Sequence, residues 1–567
     1  ADLKRHLDNE PVLARPPSQL YRFQKMARRN KAATVGVASV ALALVLGLGL
    51  ATAAFVRERA ARQRERTESV RADTVTTFID SLVSDQLPSL LQQGNVRGAR
   101  ELISKADALA SSSLSNTPAA ELRLRWKLRT ALVDLNDASA ALQQAELINR
   151  LLPKVTDEQL SVPRDEIRIA LPETRLWAAD GQLTQEQAMK DLEGLYAEFM
   201  GRKPPAEGFA ASCRFYQANW FGFTSKTNEA EAAIVEAHEL LLHAPASVSL
   251  GLLVAAKYVE VLGPTDPVRA EQVARENLGK PRCLDPEVRA EYLKLVTEMS
   301  NTLCRQGRFA EATAMLEEQR RLLVTRGGSG TYLVRLDALR GAVLARSGNA
   351  REALPILEAV ATNRLSNVED WQHAANAAAA TGDHASFERL SRVCWLRFGS
   401  TVEGVAAIHV LFGLLQQPMD ERTLALARGL LDRADDGSIG SNMWLAYADA
   451  FLTCREHRYP EALALLDRFL GTIGSRLETR EHLQPSNQAY FIFTRALLNA
   501  ELGNTVEARR DFARARAQLK LALGDKPGHD RGRDNRLWIP YQAEMRQREA
   551  EATFKAKGIP LPEPDAK

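Results

Sequence analysis

The strongest constraint on this chain is an uninterrupted apolar run at residues 32–56, AATVGVASVALALVLGLGLATAAFV. The run contains no charged residue, and as an α-helix rising about 1.5 Å per residue it would be roughly 37 Å long. That length exceeds the roughly 30 Å hydrocarbon core of a bilayer. A helix that is apolar on every face must be surrounded by lipid or by protein. The run therefore predicts a single transmembrane helix at 32–56.

A cleaved secretory signal peptide is the main alternative to this anchor, because Ala51, Thr52 and Ala53 form a small-x-small cleavage pattern. Signal peptides have apolar cores of about 7–15 residues, whereas this run has 25 residues and follows 31 others. A helix that stays in the membrane is therefore favoured over a cleaved signal and over a fully buried soluble helix.

Small residues recur every four positions along the run and would lie on one face of the helix. Small side chains let two membrane helices approach closely, so this row is a candidate face for a homodimer: Ser39, Ala43, Gly47 and Ala51. The run is so rich in alanine and glycine that such a row also arises by chance, and both interpretations stay open.

Lys and Arg residues near the ends of a membrane helix indicate which side faces the cytoplasm. Here six of them lie between residues 15 and 31, and six lie between residues 57 and 71. The charge rule therefore gives no orientation, and the placement of each flank must come from another feature.

The composition of the whole chain excludes several classes of function. A formal net charge of +3 over 567 residues gives no indication of nucleic-acid binding. The cysteines are widely separated and form no CxxC pair, which indicates neither a zinc site nor a dense disulfide framework. We interpret most of them as small buried hydrophobic residues: Cys213, Cys283, Cys304, Cys394 and Cys454.

Motifs for catalysis or metal binding are weak in this sequence. His238 and His243 are the first and last residues of the sequence HELLLH. The zincin motif needs histidines four residues apart on one helix face, whereas these two are five residues apart and about 140° apart around a helix. No GxSxG, Walker or dinucleotide-binding motif is present, so the sequence predicts no catalytic residue, cofactor site or metal ligand. Aromatic residues cluster at roughly helical spacing, which favours core packing over a pocket: Phe215, Tyr216, Trp220, Phe221 and Phe223.

Beyond residue 57 the sequence is helical in character, and one turn pattern recurs along it. A glycine or polar residue ends one helix, a bulky or small residue lies two positions on, and an alanine five positions after the first lets the next helix pack closely. The pattern resembles the inter-helix turn of a tetratricopeptide repeat. Its markers are Gly94, Gly307, Phe309, Ala312, Gly348, Ala353, Tyr459, Ala462, Gly503 and Ala508.

The spacing of these turns predicts an all-α fold, an irregular tetratricopeptide-like helical-repeat solenoid that follows the membrane helix. Gly307 and Gly348 are 41 residues apart, and Gly348 and Gly382 are 34 apart, which is the tetratricopeptide period. The 75 residues from Gly382 to His457 fit two units, one of them without a marker. Prolines and glycines interrupt the pattern between residues 152 and 212, and no unit is predicted there.

The residues before the apolar run, DLKRHLDNEPVLARPPSQLYRF at 2–23, resemble the segment after the catalytic domain of large bacterial transmembrane serine/threonine protein kinases with tetratricopeptide-like repeats. A second similarity to that family is Trp538 ahead of REAEA at 548–552. The glycine-rich loop, strand lysine, HRD and DFG motifs of a kinase are missing from this sequence. The resemblance implies the post-catalytic part of such a kinase, as a fragment or a truncated product. ATP and Mg²⁺ are then expected only for the absent kinase domain.

The resemblance also implies an orientation and a function. Because a kinase domain uses cytosolic ATP, residues 1–31 are expected in the cytoplasm and residues 57–567 outside the inner membrane. The repeats are expected to bind a peptide or protein in their groove and to signal through the membrane helix. The alternative is a membrane-anchored repeat scaffold without any kinase.

These features divide the chain into six predicted segments. They are the end of the kinase C-lobe with a basic linker (1–31), the transmembrane helix (32–56), a helical stalk with a first helix pair (57–114), irregular helical repeats (115–290), tetratricopeptide-like repeats (291–525), and a C-terminal helix with a tail (526–567).

Overall fold

The computed structural model describes residues 19–29, most of 32–59, four single positions between 63 and 90, and residues 96–563 apart from short gaps, the longest being 478–484 and 524–537. Contacts divide the chain into two units, Ala1–Phe78 and Ile79–Lys567. All regular structure in the described residues is helical, which confirms the all-α prediction.

In the first unit, helix α1 spans Gln19–Arg29 and helix α2 spans 42–59. Large apolar side chains of α2 are exposed, among them Leu44 and Leu48, which are 68% and 71% exposed. None of the helices in the described residues is long and apolar enough to cross a membrane. The predicted span is described only in part, because several of its positions lie outside the described residues: 33, 34, 37, 38 and 41.

The second unit begins with helices whose spacing is irregular. They are α3 Val96–Ser113, α4 Pro118–Asp134, α5 Ala138–Leu151, α6 Arg164–Trp177, α7 Gln182–Gly201, α8 Glu207–Phe223, α9 Thr227–His243, α10 Val248–Leu262 and α11 Pro267–Leu278. Each packs against the next. Short 3-10 turns, Leu152–Lys154 and Asp157–Gln159, connect α5 to α6. The region 152–212, where the sequence predicts no unit, is therefore largely helical.

Six consecutive helical hairpins follow, and a final helix ends the described part of the chain. Their helices are α12 Arg289–Arg305, α13 Phe309–Thr325, α14 Gly330–Arg346, α15 Ala350–Thr362, α16 Val368–Thr381, α17 His384–Phe398, α18 Gly404–Leu414, α19 Glu421–Ala434, α20 Ile439–Arg455, α21 Tyr459–Leu477, α22 Pro485–Glu501, α23 Thr505–Leu523 and α24 Trp538–Ala556. The hairpin α18–α19 lies between Gly382 and His457, where the spacing predicts a unit without a marker.

The hairpins stack through their first helices. Each first helix contacts the first helix of the next hairpin, from α12 to α22. We call the face formed by α12, α14, α16, α18, α20 and α22 the inner surface. The stacking buries one hydrophobic core that continues from Ala211 to Ile559, as expected for repeats that cannot bury their apolar faces alone.

Five of the turns between paired helices share one backbone arrangement. Each has a residue in the left-handed conformation just after the first helix: Gly307, Gly348, Gly382, His457 and Gly503. The amide of Gly307 donates to the carbonyl of Cys304 at 2.9 Å, and the amide of Arg308 donates to that of Leu303 at 3.0 Å. The other four turns repeat this pair of bonds. The arrangement satisfies carbonyls that the end of a helix would otherwise leave unpaired.

The residue five positions after each of these turns is buried. After four turns it is an alanine with no exposed surface: Ala312, Ala353, Ala462 and Ala508. After Gly382 it is Phe387, which is also buried. A larger side chain at the alanine positions would overpack the interface between the helices, so the turn residue and the buried alanine together set how closely each hairpin closes.

Replacing Gly307 by alanine is expected to lower the free energy of unfolding by about 1–2 kcal/mol, because the left-handed conformation is unfavourable for a residue with a Cβ atom. A Cβ at this position would meet no atom within 4 Å, so the loss comes from the backbone conformation alone. Urea denaturation measures the change.

Gly429, inside α19, is the matched control. A Cβ there would also meet no atom within 4 Å, and the helical conformation suits alanine, so Gly429→Ala is expected to stabilise the protein by up to about 1 kcal/mol. Effects of the same sign for both variants would contradict this account of the turns.

Candidate functional site at the inner surface

The C-terminal helix α24 lies against the inner surface. It contacts α14 and α16 as well as α22 and α23, so it meets first helices that are four hairpins apart in sequence. A helix of 19 residues is about 28 Å long. A row of first helices that curves around α24 accounts for these contacts. We therefore interpret the inner surface along α14–α22 as concave, with α24 lying against it.

Almost every side of α24 is covered by the rest of the domain. Among residues 542–554 only Arg548 and Ala552 are exposed, and Ala543, Ala550 and Phe554 have no exposed surface. An amphipathic helix on the outside of a globular protein exposes a broad polar face. The coverage of α24 is that of a helix enclosed in a groove.

Arg546 makes the central polar contacts of α24. The residue is 1% exposed, its Nη2 donates to Oε1 of Gln416 at 2.5 Å, and its Nη1 donates to Glu549 one turn later. The guanidinium also lies over the ring of Phe451, 4.2 Å from the centroid. Because Gln416 follows α18 and Phe451 belongs to α20, this one side chain connects α24 to two hairpins.

Glu549 is held by a second arginine, which belongs to the inner surface. Arg455, the last residue of α20, donates from Nη1 and Nη2 to the two carboxylate oxygens of Glu549 at 2.5 and 3.2 Å. Two parallel bonds of this kind give an arginine–carboxylate pair its geometric specificity. Burial would raise the pKa of the Glu549 carboxyl, but the charges of Arg546 and Arg455 outweigh burial and hold that pKa below its ordinary value.

A layer of buried aromatic rings lies beside this charged group. Tyr447 packs against Phe491 with the ring centroids 4.5 Å apart, and its hydroxyl lies 2.8 Å from that of Thr494. Tyr447, Phe451 and Phe491 are each at most 1% exposed. Because the rings exclude water, the electrostatic interactions beside them are stronger than they would be in solvent.

The second half of α24 is fixed to the last hairpin. The ring of Phe554 lies 5.2 Å from that of Phe512 on α23, and Lys557 pairs with Glu501 of α22 at 2.9 Å. Gly558, in the left-handed conformation, ends the helix. The C-terminal end of α24 is therefore fixed to the last hairpin, while Arg546 and Glu549 near its middle meet Gln416 and α20.

A second group of charges lies where α10 packs against α12. Nζ of Lys257 donates to Oε1 of Glu260 at 2.9 Å. Burial raises the pKa of Glu298 to about 8, and the negative charge of Glu260 adds to the increase while Arg305 opposes it. Perturbed carboxyl groups occur at active sites and in structural ion-pair networks alike, so this pKa does not by itself indicate catalysis.

A pocket of about 530 Å³ lies among α13, α14 and α15. Nε of Arg320 and Oδ1 of Asp337, 2.8 Å apart, form a charged wall of this pocket, and Val334 and Val360 contribute apolar lining. These two valines belong to a small apolar cluster separate from the main core. The volume falls in the range of ligand sites, and the mixed lining suits a peptide side chain better than a purely apolar ligand.

The residues predicted from the sequence occupy several different parts of the structure. The small-residue row is exposed in the first unit: Ser39, Ala43, Gly47 and Ala51. Phe309 and Tyr459 are half-buried at the starts of α13 and α21, and Gly94 lies outside the described residues. The described repeat markers therefore lie at the turns and helix starts that shape the hairpins.

Sequence reasoning missed three of the four polar residues of the α24 contact: Gln416, Arg455 and Arg546. The fourth, Glu549, lies within the REAEA sequence that resembles the kinase family. Arg455 and Glu549 are 94 residues apart, and Gln416 and Arg546 are 130 apart. No local periodicity connects residues at such distances. The one available signal was the Arg546–Glu549 spacing of three residues on one helix face.

The cysteines and the paired histidine motif form no reactive centre in the part of the chain that can be described. All five cysteines are buried and free, and burial raises the pKa of Cys213 to about 12 and that of Cys304 to about 11, so these thiols are protonated at neutral pH. Burial lowers the pKa of His238. Among the described residues, no three His, Cys, Asp or Glu side chains are placed to hold a metal ion.

The aromatic residues near Trp220 divide between core and surface. Phe215 is buried in the main core. Trp220 and Phe223 instead stack with centroids 5.4 Å apart, both against Trp177 of α6, and Phe223 is 47% exposed.

No protein-family profile matches the chain, and no curated protein matches it. Among solved structures, a chain of the APC/C hetero-tetramer Cut9-Hcn1 is 11% identical, with 85% of this chain and 96% of that chain covered at a TM-score of 0.24. A circular tandem repeat protein with novel repeat topology is 13% identical, with 86% and 98% covered at a TM-score of 0.14. At such low identities and TM-scores, function must be inferred from the chain itself.

Replacing Glu298 by glutamine is expected to stabilise the protein at pH 8 and to have little effect at pH 5. The folded carboxyl has a pKa of about 8 against an ordinary value of 4.5, so the folded state keeps a proton that the unfolded state loses. Its contribution to stability is therefore present at low pH and is lost as the pH rises towards 8. Glutamine imitates the protonated form at both pH values. Thermal unfolding measures the difference.

Glu311→Gln, on the adjacent helix α13, is the control for this prediction. Arg308 lies 2.6 Å from that exposed carboxylate and lowers its pKa, so Glu311 is ionised at pH 5 and at pH 8. Its replacement is expected to destabilise the protein slightly and equally at both values. A Glu298→Gln effect that does not change with pH would contradict the raised pKa.

Proposed function

We propose that this chain is the membrane-anchored, extracytoplasmic interaction portion of a bacterial serine/threonine protein kinase, and that its inner surface binds a peptide or protein partner. The observation that carries the proposal is the concave inner surface, an extended face that already holds a helix through arginine side chains and aromatic rings. Stacked helical repeats commonly present such faces to partners. The proposal assigns no catalysis to this chain.

The seating of α24 supports a protein partner over a small molecule. Amphipathic helices bind in apolar grooves through residues at helical spacing, and α24 places Arg546, Glu549 and Phe554 in contact with the inner surface and the last hairpin. A groove complementary to one helix has the length and chemistry for another. The pocket among α13, α14 and α15 would add a site for one protruding side chain.

The apolar run supports membrane anchoring. Its described large side chains are exposed, for example Leu50 at 72% and Phe55 at 61%, and exposed apolar patches of this kind mark contact with protein or membrane. The hydrocarbon core of a membrane would bury all of these exposed side chains together. A homodimer within the bilayer would use the row of small residues, which lets two helices approach closely: Ser39, Ala43, Gly47 and Ala51.

The kinase parentage rests on sequence resemblance at 2–23 and around Trp538. Residues 1–18 lie outside the described residues, so this part of the proposal depends on their sequence alone. On this proposal residues 1–31 lie in the cytoplasm beside a catalytic domain that binds ATP and Mg²⁺, and residues 57–567 lie outside the inner membrane. Partner binding would then reach the kinase through the membrane helix.

A membrane-anchored scaffold without a kinase is the second candidate. The observation in its favour is a second candidate binding feature beside the α24 contact, the pocket lined by Arg320 and Asp337, which would let one chain hold two partners together. The coding sequence upstream of Ala1 distinguishes the candidates. A continuous reading frame with kinase motifs is expected, and a frame without them would favour the scaffold.

Orientation is tested by protease treatment of intact spheroplasts. If residues 57–567 lie outside the inner membrane, added protease is expected to digest the solenoid while the cytoplasmic flank stays intact until the membrane is permeabilised. Protection of the solenoid in intact spheroplasts would contradict the proposed orientation.

Substituting arginine for both Leu44 and Leu48 is expected to move the chain from the membrane fraction to the soluble fraction. Each arginine at the centre of a membrane helix opposes insertion by about 2.5–3.5 kcal/mol. Cell fractionation followed by carbonate extraction measures the distribution.

The matched control is Val268→Arg with Leu396→Arg, at solenoid positions that are 78% and 80% exposed. These changes add the same charge and are expected to leave the distribution unaltered. Retention of the Leu44 and Leu48 double variant in the membrane would contradict anchoring by residues 32–56.

A further inference from the structure

We infer that α24 is a built-in, exchangeable occupant of a helix-binding groove along α14–α22, and that a partner enters this groove by displacing it. The occupancy follows from the contacts of α24 alone. The role of the groove in partner binding rests on the proposed function. The groove would thus be closed in the isolated chain and open when a competing helix is present.

The contacts define what a competing helix must look like. The groove offers the acceptor oxygen of Gln416, the ring of Phe451 and the forked donors of Arg455, which meet Arg546 and Glu549 of α24. Phe554 fills the apolar site beside Phe512. A competing helix therefore needs an arginine, a glutamate three residues later and an aromatic residue eight residues after the arginine.

The charged character of the contact favours exchange. Desolvation of buried ionised groups offsets much of their mutual attraction, so Arg546 and Glu549 fix the position of α24 more than they strengthen its binding. The groove also excludes helices that do not match, because an Arg455 left buried without a carboxylate partner would be strongly unfavourable. The contact between α24 and the groove is thus selective for a matching helix and still permits exchange.

The length of chain before α24 permits its release. Fourteen residues, 524–537, separate α23 from α24 in sequence, and such a segment can span up to about 46–50 Å when extended. The helix can therefore leave the groove while α23 stays folded. While tethered, α24 competes at an effective concentration of the order of millimolar, so an external helix binds the intact chain only weakly.

Cutting the tether tests the inference on the full chain. A protease recognition sequence is placed within 524–537 of the purified protein, and binding of a fluorescent peptide of residues 538–563 is followed by anisotropy before and after cleavage. The peptide is expected to bind at least tenfold more tightly after cleavage, as labelled peptide replaces the severed segment. Circular dichroism checks that the solenoid remains folded.

Two peptide variants give the test its specificity. Arg546→Ala is expected to weaken binding at least tenfold, because Gln416 loses its donor and Phe451 loses the guanidinium that covers its ring. Arg548→Ala, two residues away and exposed, is expected to bind within about twofold of the unmodified peptide.

Three outcomes would overturn the inference: unfolding on cleavage, a severed segment that never exchanges below the unfolding temperature, or equal binding of the Arg546→Ala and unmodified peptides. Exchange of the peptide would support the inference even if membrane anchoring and kinase parentage fail. Absence of exchange would overturn it even if they hold.

Discussion

The solenoid depends on a chain reversal that supplies two hydrogen bonds to the C-terminal carbonyls of the first helix in five of its six hairpins. At Gly307 and at four equivalent turns, one residue in the left-handed conformation lets two consecutive amides bond back to the helix. The second helix then starts at once, and a buried alanine such as Ala312 brings it close to the first. Because five of the six hairpins are closed by the same turn, successive first helices meet in a similar way and form one continuous face.

The curvature of that face gives it the shape of a binding groove. The first helices of distant hairpins meet around α24. The polar contact at its middle joins Arg546 and Glu549 of α24 to Arg455 of α20 and to Gln416, which follows α18. Buried arginines are tolerated there because each finds an acceptor and an aromatic ring: Arg546 has Gln416 and Phe451, and Arg455 has Glu549 and the same ring. Charge, which is expensive to bury unpaired, here specifies which helix fits.

The sequence predicts the parts of this fold that depend on local chemistry. A glycine at the left-handed position of the turn and an alanine five residues later can be read directly from the sequence. Together they predict an all-α repeat fold. His457 takes the left-handed position with φ of 60°, which few residues other than glycine do, and only its neighbours Tyr459 and Ala462 marked that turn. Pro172 lies inside α6, although proline is unfavourable within a helix, so the region around it resisted prediction.

The binding geometry could not be predicted from the sequence for a different reason. It joins residues such as Arg455 and Glu549, which lie on helices far apart in the chain, and their meeting depends on how much each hairpin rotates relative to the one before it. Small rotations accumulate along a solenoid, so knowing every hairpin does not reveal which residues face one another across the curve. Which residues line the groove is therefore determined only by the assembled stack of hairpins.

A double-mutant cycle between Arg455 and Glu549 tests most directly whether α24 is held in the groove by specific pairing. The free energies of unfolding are measured for Arg455→Met, Glu549→Gln and the double variant under identical conditions. The account predicts a coupling free energy of about 1–3 kcal/mol, as found for groups in direct contact. Additive effects within about 0.3 kcal/mol would show that the two residues do not interact and that α24 is not held where this structure places it.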